Sequence, residues 1–281
     1  MKINIIKSPA KINLALNVIG KSRSLHKVES LVSFINLFDI ISVKEIKEKK
    51  HRISFDGLFS KNIKKKNTIS ELLNILDKKN LLNGKKFQIT IKKNIPQEAG
   101  LGGGSINAAS LISYFLKKKI LKISTAQITK ICNLVGSDVI LGIYSKNLIL
   151  NPNGKIIPLQ KSKKINVLLI KPNFGCSTKK IFSYVSKYSK PVLKKSKIKL
   201  TNFNYLKRLK NDLEPLAMRQ YPKLNQIKKY LNEHTKSKLV RMTGSGSVIV
   251  GYFSSKKDCE LAKLYMKKKF RNYWCIIAKT I

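Results

Sequence analysis

Apolar and polar positions follow two periods along the chain, and together they predict an alternation of strands and helices. Residues 2–7 read as a strand, and Ser8-Pro9-Ala10 reads as its break. Residues 11–18 alternate strictly: Ile12, Leu14, Leu16 and Val18 share one face, and Lys11, Asn13, Ala15 and Asn17 the other. That polar face suits either a solvated sheet surface or a cleft in which an ammonium and an amide stand one pleat apart. Residues 20–25 form a polar turn. Residues 27–36 and 39–46 read as two further strands, and Ile53 with Phe55 suggests a short third. Helical spacing then takes over in residues 67–78, where Ile69, Leu72, Leu73 and Leu76 form one stripe.

The centre of the chain is strand, glycine-rich loop, helix. Residues 86–92 alternate through Phe87, Ile89 and Ile91. Ile95-Pro96-Gln97-Glu98-Ala99-Gly100-Leu101-Gly102-Gly103-Gly104-Ser105-Ile106-Asn107 follows, and Leu111, Ile112, Phe115 and Leu116 fall at helical spacing behind it. Four glycines among residues 100–104 remove the Cβ barrier to unusual backbone angles and let a ligand approach the main chain. Ser105 is expected to cap the helix that follows. Free amides and the positive end of that helix then converge on an anion site; read alone, the run also fits a mobile surface turn. No Gly-Lys-Ser/Thr closes the loop, which sets it apart from a Walker loop.

Downstream, residues 124–135 read as a helix capped by Ser124 and stopped by Gly136, with Asp138 just beyond in a turn or cap position. Asn151-Pro152-Asn153-Gly154 is a hairpin signal. A charged connector at 161–164 places a domain boundary near residue 160, dividing the chain into 1–160 and 161–281. Beyond it come a strand at 165–170, a helix starting at Ser177-Thr178, a lysine-rich segment at 190–199, and helices at 212–217 and 221–231. A strand at 238–241 leads into Met242-Thr243-Gly244-Ser245-Gly246-Ser247, a strand at 248–253 leaves it, and a helix at 255–268 and a strand at 273–277 close the chain. This order suits a ferredoxin-like α+β layer.

Composition narrows the functional classes. The chain has 281 residues, 43% of them hydrophobic, enough for a substantial core. It carries 58 Lys+Arg against 14 Asp+Glu, a formal net charge of +44. The basic runs are nearly all lysine, lie on many elements and lack interleaved aromatics, so they read as solvated faces and nucleic acid is not expected as a partner. The field still steers anionic substrates inward at low salt. Cys132, Cys176, Cys259 and Cys275 are far apart, with neither metal spacing nor a disulfide framework, and read as reduced thiols near a core in a cytoplasmic protein. The first residues do not read as a signal peptide, because Lys7 and Lys11 interrupt the apolar positions, and the longest apolar stretch, 31–41, contains Asn36 and Asp39 and reads as too short to span a bilayer.

Four segments taken together are specific: Pro9-Ala10-Lys11-Ile12-Asn13-Leu14, the loop from Ile95 to Ala109, Gly136-Ser137-Asp138-Val139, and Met242-Thr243-Gly244-Ser245-Gly246-Ser247. In this order the chain resembles the GHMP small-molecule kinases nearly end to end. Within them it is most similar to the branch acting on a CDP-linked methylerythritol in the non-mevalonate isoprenoid route. His26, Asn67-Thr68-Ile69, Ser177-Thr178-Lys179 and Asn211-Asp212-Leu213-Glu214 add to the likeness. The resemblance implies an α+β, two-domain GHMP kinase fold: a ribosomal-protein-like N-terminal domain and a ferredoxin-like C-terminal domain. It also implies transfer of the ATP γ-phosphoryl to a substrate hydroxyl, with another alcohol substrate as the near alternative and a basic RNA-binding protein as the distant one.

Roles carried over with the resemblance are these. Asp138 and Lys11 are the expected catalytic pair. Pro96, Gly100, Leu101, Gly102, Gly103, Gly104, Ser105, Asn107 and Asn67 are expected to hold ATP. Asn13, His26, Thr178, Phe182, Gly244 and Ser245 are expected to hold the substrate, with His26 on the cytosine edge and Phe182 stacking on the base. Magnesium is expected to arrive with ATP, no metal ligand is assigned to the protein, and a monomer or weak homodimer without membrane partners is expected. The chain departs from the family at Arg23-Ser24-Leu25-His26, where Asp-Gly-Tyr-His is common and Leu25 cannot stack as the aromatic does. Ile106 stands where a second serine is usual, Val139-Ile140-Leu141-Gly142 replaces a Pro-Phe-Phe run, and Glu98 brings a negative charge to the loop.

Overall fold

The structure, a computed structural model, describes residues 2–22, 25–160 and 163–281; the side chains of Leu25 and Lys197 also lie outside that description. The family's departure at Arg23-Ser24 and part of the 161–164 connector therefore fall outside the described residues. The chain forms two compact units that interleave in sequence. One comprises Met1–Ala10, Leu37–Gln97 and Gly102–Ser145, and the other Lys11–Asn36, Glu98–Leu101 and Lys146–Ile281. The expected cut near residue 160 falls inside the second unit.

Two long strands run through both units. β1 spans Asn4–Ser22 and β2 spans Leu25–Ile46. The expected break at Ser8-Pro9-Ala10 does not occur. Among the described residues β1 pairs with β2 and with no other named strand, and an edge position tolerates a proline's missing N–H. Nor does β2 divide at 37–38, because its polar residues find partners within the fold: Asn36 Oδ1 accepts from Lys279 N at 2.6 Å, and Asp39 is wholly buried among donors.

In the first unit, the end of β2 pairs antiparallel with β4 (Lys86–Lys92), which pairs in parallel with β3 (Arg52–Asp56). Helices α1 (Thr68–Lys78), α2 (Gly103–Lys117), α3 (Thr125–Val135) and α4 (Val139–Tyr144) belong to the same unit. Asn67 caps α1 and Ser124 caps α3, each through a reciprocal capping box. The stripe Ile69, Leu72, Leu73 and Leu76 packs with Phe87, Ile89, Ile91, Leu111, Ile112 and Phe115 in one core. Phe87 and Phe115 meet at 4.9 Å between ring centroids.

Besides its parts of β1 and β2, the second unit holds β5 (Leu148–Leu150) and β6 (Ile156–Pro158), the hairpin announced by Asn151-Pro152-Asn153-Gly154. β7 (Asn166–Lys171), β8 (Leu239–Met242), β9 (Ile249–Phe253) and β10 (Trp274–Lys279) form a four-stranded antiparallel sheet in the order β10-β7-β9-β8. Helices α5 (Thr178–Ser183), α6 (Phe203–Arg208), α7 (Leu213–Gln220) and α8 (Pro222–His234) lie in sequence between β7 and β8, and α9 (Lys256–Lys269) between β9 and β10. This is the ferredoxin-like arrangement that the strand and helix order predicts. Leu168, Ile170, Leu224, Ile227, Leu231, Ile249 and Phe253 anchor its core. All four cysteines are buried free thiols; burial pushes Cys176 and Cys259 up to about 12 and Cys132 and Cys275 up to about 11. Among the described residues no helix is long and apolar enough to cross a membrane.

Phe115→Ala removes a fully buried ring at the centre of the first core and should lower unfolding free energy by about 3–5 kcal/mol, read from urea denaturation. A loss below about 1 kcal/mol would contradict this placement of the core.

Candidate active site

The glycine loop divides between the two units, and each part is held differently. Residues 98–101 belong to the second unit. There Gly100 has φ +72°, and a Cβ on it would stand 2.0 Å from the Thr243 carbonyl oxygen. A side chain is excluded twice over, by conformation and by space. Thr243 Oγ1 lies 3.1 Å from Gly100 O and 3.2 Å from Asn13 Oδ1, and it accepts from Asn13 N at 3.0 Å. Glu98 O accepts from Cys176 N and Ser247 N at 3.1 and 3.2 Å, and the Glu98 side chain occupies the space a Cβ on Gly175 would need. Glu98 is itself exposed.

Lys11 and Asn13 are inside this cluster, each only 3% exposed. Their face of β1 is therefore buried and polar, which settles the choice between a solvated surface and a lined interior. Lys11 Nζ donates to Asn13 Oδ1 at 2.6 Å, and Lys11 N donates to Leu101 O at 3.0 Å. Asn13 Nδ2 donates to Ser30 Oγ at 2.8 Å, and Ser30 Oγ donates to Ala15 O at 2.7 Å. An ammonium held this way is costly to bury unless hydrogen-bonded, and here it is.

The 242–247 turn, which read as a plain turn or a site element, is clamped by Asn211, just before α7, and by Glu214 in it. Asn211 Nδ2 donates to Met242 O at 2.9 Å and to Gly244 O at 2.8 Å, and Glu214 Oε1 accepts from Met242 N at 2.9 Å. Arg241, 5% exposed, donates to the carbonyls of Leu14, Leu206 and Leu209, fixing β1 between Asn13 and Ala15. Ser245 Oγ and Thr178 Oγ1 are 2.9 Å apart. His26 and Phe182 face one another with ring centroids 5.0 Å apart and an interplanar angle of 34°. Burial, and then the charge of Lys21, lower the His26 pKa from its ordinary value, so its imidazole is neutral at pH 7.

In the first unit the other end of the loop becomes α2. The helix starts at Gly103, with Gly102 at φ +69° in the cap position and no side-chain cap. Ser105 is thus the third helical residue and not the cap, because the glycines themselves already take helical angles. The first helical bond runs from Ile106 N to Gly102 O, and the amides of Gly103, Gly104 and Ser105 lie in the turn that has no intrahelical acceptor. No acidic side chain occupies that turn. Thr68 Oγ1 donates to Gly104 O at 2.9 Å, tying α1 to the same turn. Pro96 is buried just before the loop, and Leu101 is 1% exposed.

Asp138 stands at the head of α4 without making a capping bond to it. Its turn adjoins α2: a Cβ on Gly136 would be 3.8 Å from Ser105 Oγ. One on Gly142 would be 2.6 Å from Ala109 Cβ and 3.1 Å from Ile106 Cδ1. Ile106 is fully buried in that packing and serves the α2–α4 contact. Asn67, expected to help hold ATP, caps α1. Its Oδ1 accepts from Ile69 N and Ser70 N, and its Nδ2 donates to Lys64 O and Lys65 O, all within 3.2 Å. Asn107 is 2% exposed; its Nδ2 donates to Asp39 Oδ2 at 2.9 Å, and its buried Oδ1 has no protein donor.

Sequence reasoning missed Asp39, Lys93 and Arg241 as site-supporting residues. Asp39 was visible only as an acid interrupting an apolar stretch, and Lys93 as one lysine among many. Among the described residues no group of three His, Cys, Asp or Glu side chains is placed to hold a metal ion.

Two family models match the chain: the GHMP kinases N terminal domain over residues 67–146, and the GHMP kinases C terminal over residues 195–272. A relative from Pelagibacter ubique (strain HTCC1062), named 4-diphosphocytidyl-2-C-methyl-D-erythritol kinase, is 55% identical over 276 residues, 98% of each chain. The chain belongs to the GHMP kinase family. Solved structures agree on the family fold. A 4-(cytidine 5'-diphospho)-2C-methyl-D-erythritol kinase superposes with a TM-score of 0.78 at 20% identity, covering 99% of both chains. A homoserine kinase from Cytophaga hutchinsonii ATCC 33406 superposes with a TM-score of 0.74 at 16% identity, covering 100% of this chain and 95% of that one. The family segments lie on either side of residue 160, and the N-terminal one contains the loop, α2 and Asp138.

Gly100→Ala forces a methyl into the Thr243 carbonyl and should weaken ADP binding at least tenfold in isothermal titration, while far-UV circular dichroism stays unchanged. Unaltered ADP affinity would contradict the packing of this loop.

Proposed function

We propose that the protein transfers the ATP γ-phosphoryl to a hydroxyl of 4-diphosphocytidyl-2-C-methyl-D-erythritol, in the non-mevalonate supply of isoprenoid precursors. The near full-length 55% identity to a relative bearing that name carries the reading. The buried Lys11–Asn13–Thr243–Gly100 cluster supports it. Phosphoryl transfer asks for positioning and charge compensation more than for covalent chemistry, and both are what these residues offer.

ATP's phosphates lie against the amides of residues 102–105, where an uncapped glycine turn and the helix dipole favour negative charge. Asn67 contributes by fixing the 64–67 turn against which adenosine lies, since its own amide is occupied. Asp138 orients the substrate hydroxyl and accepts its proton as the oxygen attacks phosphorus, the new O–P bond forming as the bond to the ADP oxygen breaks. Lys11 has the role of keeping the Asp138 carboxylate ionised and offsetting charge on the equatorial oxygens of the transferring group. Asn13, Gly244, Ser245 and Thr178 line the path of the alcohol. Magnesium enters with the nucleotide, held chiefly by phosphate oxygens and water.

The touching rings of His26 and Phe182 favour cytidine over another alcohol's handle. At 5.0 Å between centroids they leave no room for a base between them, so cytosine stacks on the outer face of Phe182. A neutral His26 nitrogen then accepts from the cytosine amino group. The function of a cytoplasmic enzyme agrees with four buried reduced thiols.

ADP release should require the CDP-linked methylerythritol and should not rise with homoserine or mevalonate; equal turnover with either would overturn the substrate assignment. Asp138→Asn and Lys11→Ala should each lower kcat by about 10²–10⁴-fold with the circular dichroism spectrum kept; wild-type turnover in either would remove that residue from the mechanism. The lowered His26 pKa sets a pH signature. The KM of the alcohol should be constant from pH 8 to 7, and its rise should be centred at a pH below the ordinary histidine value of about 6.5, as the imidazole gains a proton and loses its acceptor. A rise already complete at pH 7 would contradict a neutral His26.

A further inference from the structure

Asp39 lies in β2, 0% exposed, and four donors converge on it. Its Oδ1 accepts from Asn94 N at 2.7 Å and Ile95 N at 2.8 Å. Its Oδ2 accepts from Lys93 Nζ and from Asn107 Nδ2. The β2–β4 register, with Ile40 opposite Lys92, delivers the 93–95 segment to this carboxylate. Asn107 brings the second turn of α2 to it. One buried group therefore joins the segment entering the glycine loop to the helix leaving it.

Lys93, 3% exposed, adds a second constraint. Its Nζ lies 3.3 Å from where a Gly103 Cβ would stand, beneath the first turn of α2. Without Asp39, an ammonium would be left buried beside the positive end of a helix, where both desolvation and the dipole disfavour it. Ile95 Cγ2, 3.1 Å from the same Gly103 position, is placed by the second Asp39 bond. The spacing of 94–95 from 103–107 is thus set by one carboxylate.

We propose that Asp39 is the positioning residue of the phosphate loop: through Asn94, Ile95, Lys93 and Asn107 it fixes the approach of the α2 amides to the nucleotide, without touching the nucleotide itself. The inference rests on the reading of those amides as the ATP phosphate seat. It predicts a specific kinetic split, because the residues proposed to hold the alcohol belong to the other unit and make none of these bonds.

Asp39→Asn keeps the size of the side chain but turns one oxygen into a donor facing Lys93 and Asn107. The KM for ATP should rise at least tenfold while the KM for the alcohol moves less than twofold, assayed well below the variant's melting temperature. The ADP dissociation constant from isothermal titration should rise in parallel. The reciprocal exchange Asp39→Asn with Asn107→Asp returns a carboxylate to the same point, and should recover most of the ATP KM. An ATP KM unchanged in Asp39→Asn, or a fall in stability with both KM values unmoved, would overturn the inference and leave Asp39 as a core ion-pair partner only. If Asp39→Asn yields no folded protein, Asn107→Ala carries the test, since it leaves Asp39 its other three donors; the same split is expected, and an unmoved ATP KM contradicts it. A wild-type protein that releases no ADP with any alcohol defeats the kinase reading itself, which is a separate result.

Discussion

The first turn of α2 presents amides that no side chain of its own caps, and the surrounding structure keeps them that way. Gly102 takes a left-handed angle that a larger residue adopts only with strain, and it brings no oxygen to satisfy the turn. A serine or aspartate there would stabilise the helix by about 0.5–2 kcal/mol and would fill the space an anion needs. The fold forgoes that cap and recovers order elsewhere: the Thr68 bond to Gly104, the burial of Ile106 against Gly142, and the Asp39 carboxylate on the strand side. On the proposed reading, the seat of the triphosphate is a helix end left short of acceptors and fastened from behind.

The second constraint is burial of polar groups on β1. Lys11, Asn13 and Asn17 lie on a strand face that is closed off from water, yet each has partners: Asn13 with Lys11, Ser30 and Thr243, Asn17 with Glu29. The loop at 242–247 fits there because Asn211 and Glu214 hold its backbone and Gly100 gives it room. Such a network is stable only when nearly complete, because each orphaned buried donor or acceptor costs about 1–3 kcal/mol. This explains why the motifs recognisable in the sequence come as a set: each supplies partners that another needs.

Most of the fold was legible from periodicity. The helices at 67–78 and 124–135, the strand at 86–92, the hairpin at 151–154 and the closing ferredoxin-like layer all stand where the apolar spacing and the caps place them. The errors have local causes. Pro9 and the gap at 37–38 read as strand breaks, but an edge position for the one and, beside the other, a long-range partner for Asn36, Lys279, let the strands continue. Ser105 reads as a cap because serine favours that place, whereas the glycines had already entered the helix. The short helices α4 and α6 carry too few residues for a periodic signal. Within the candidate site, Lys11, Asn13 and the glycine loop announced themselves by pattern and likeness. Asp39, Lys93 and Arg241 did not, since their importance is set by what tertiary structure brings to them and not by any neighbour in sequence.

The central claim is that nucleotide phosphates bind the backbone at the start of α2. Hydrogen–deuterium exchange with and without Mg·ADP reads this directly. The amides of residues 103–105 should gain the largest protection on nucleotide binding, ahead of any other segment. Protection confined to other segments, with 103–105 exchanging as in the free protein, would contradict it.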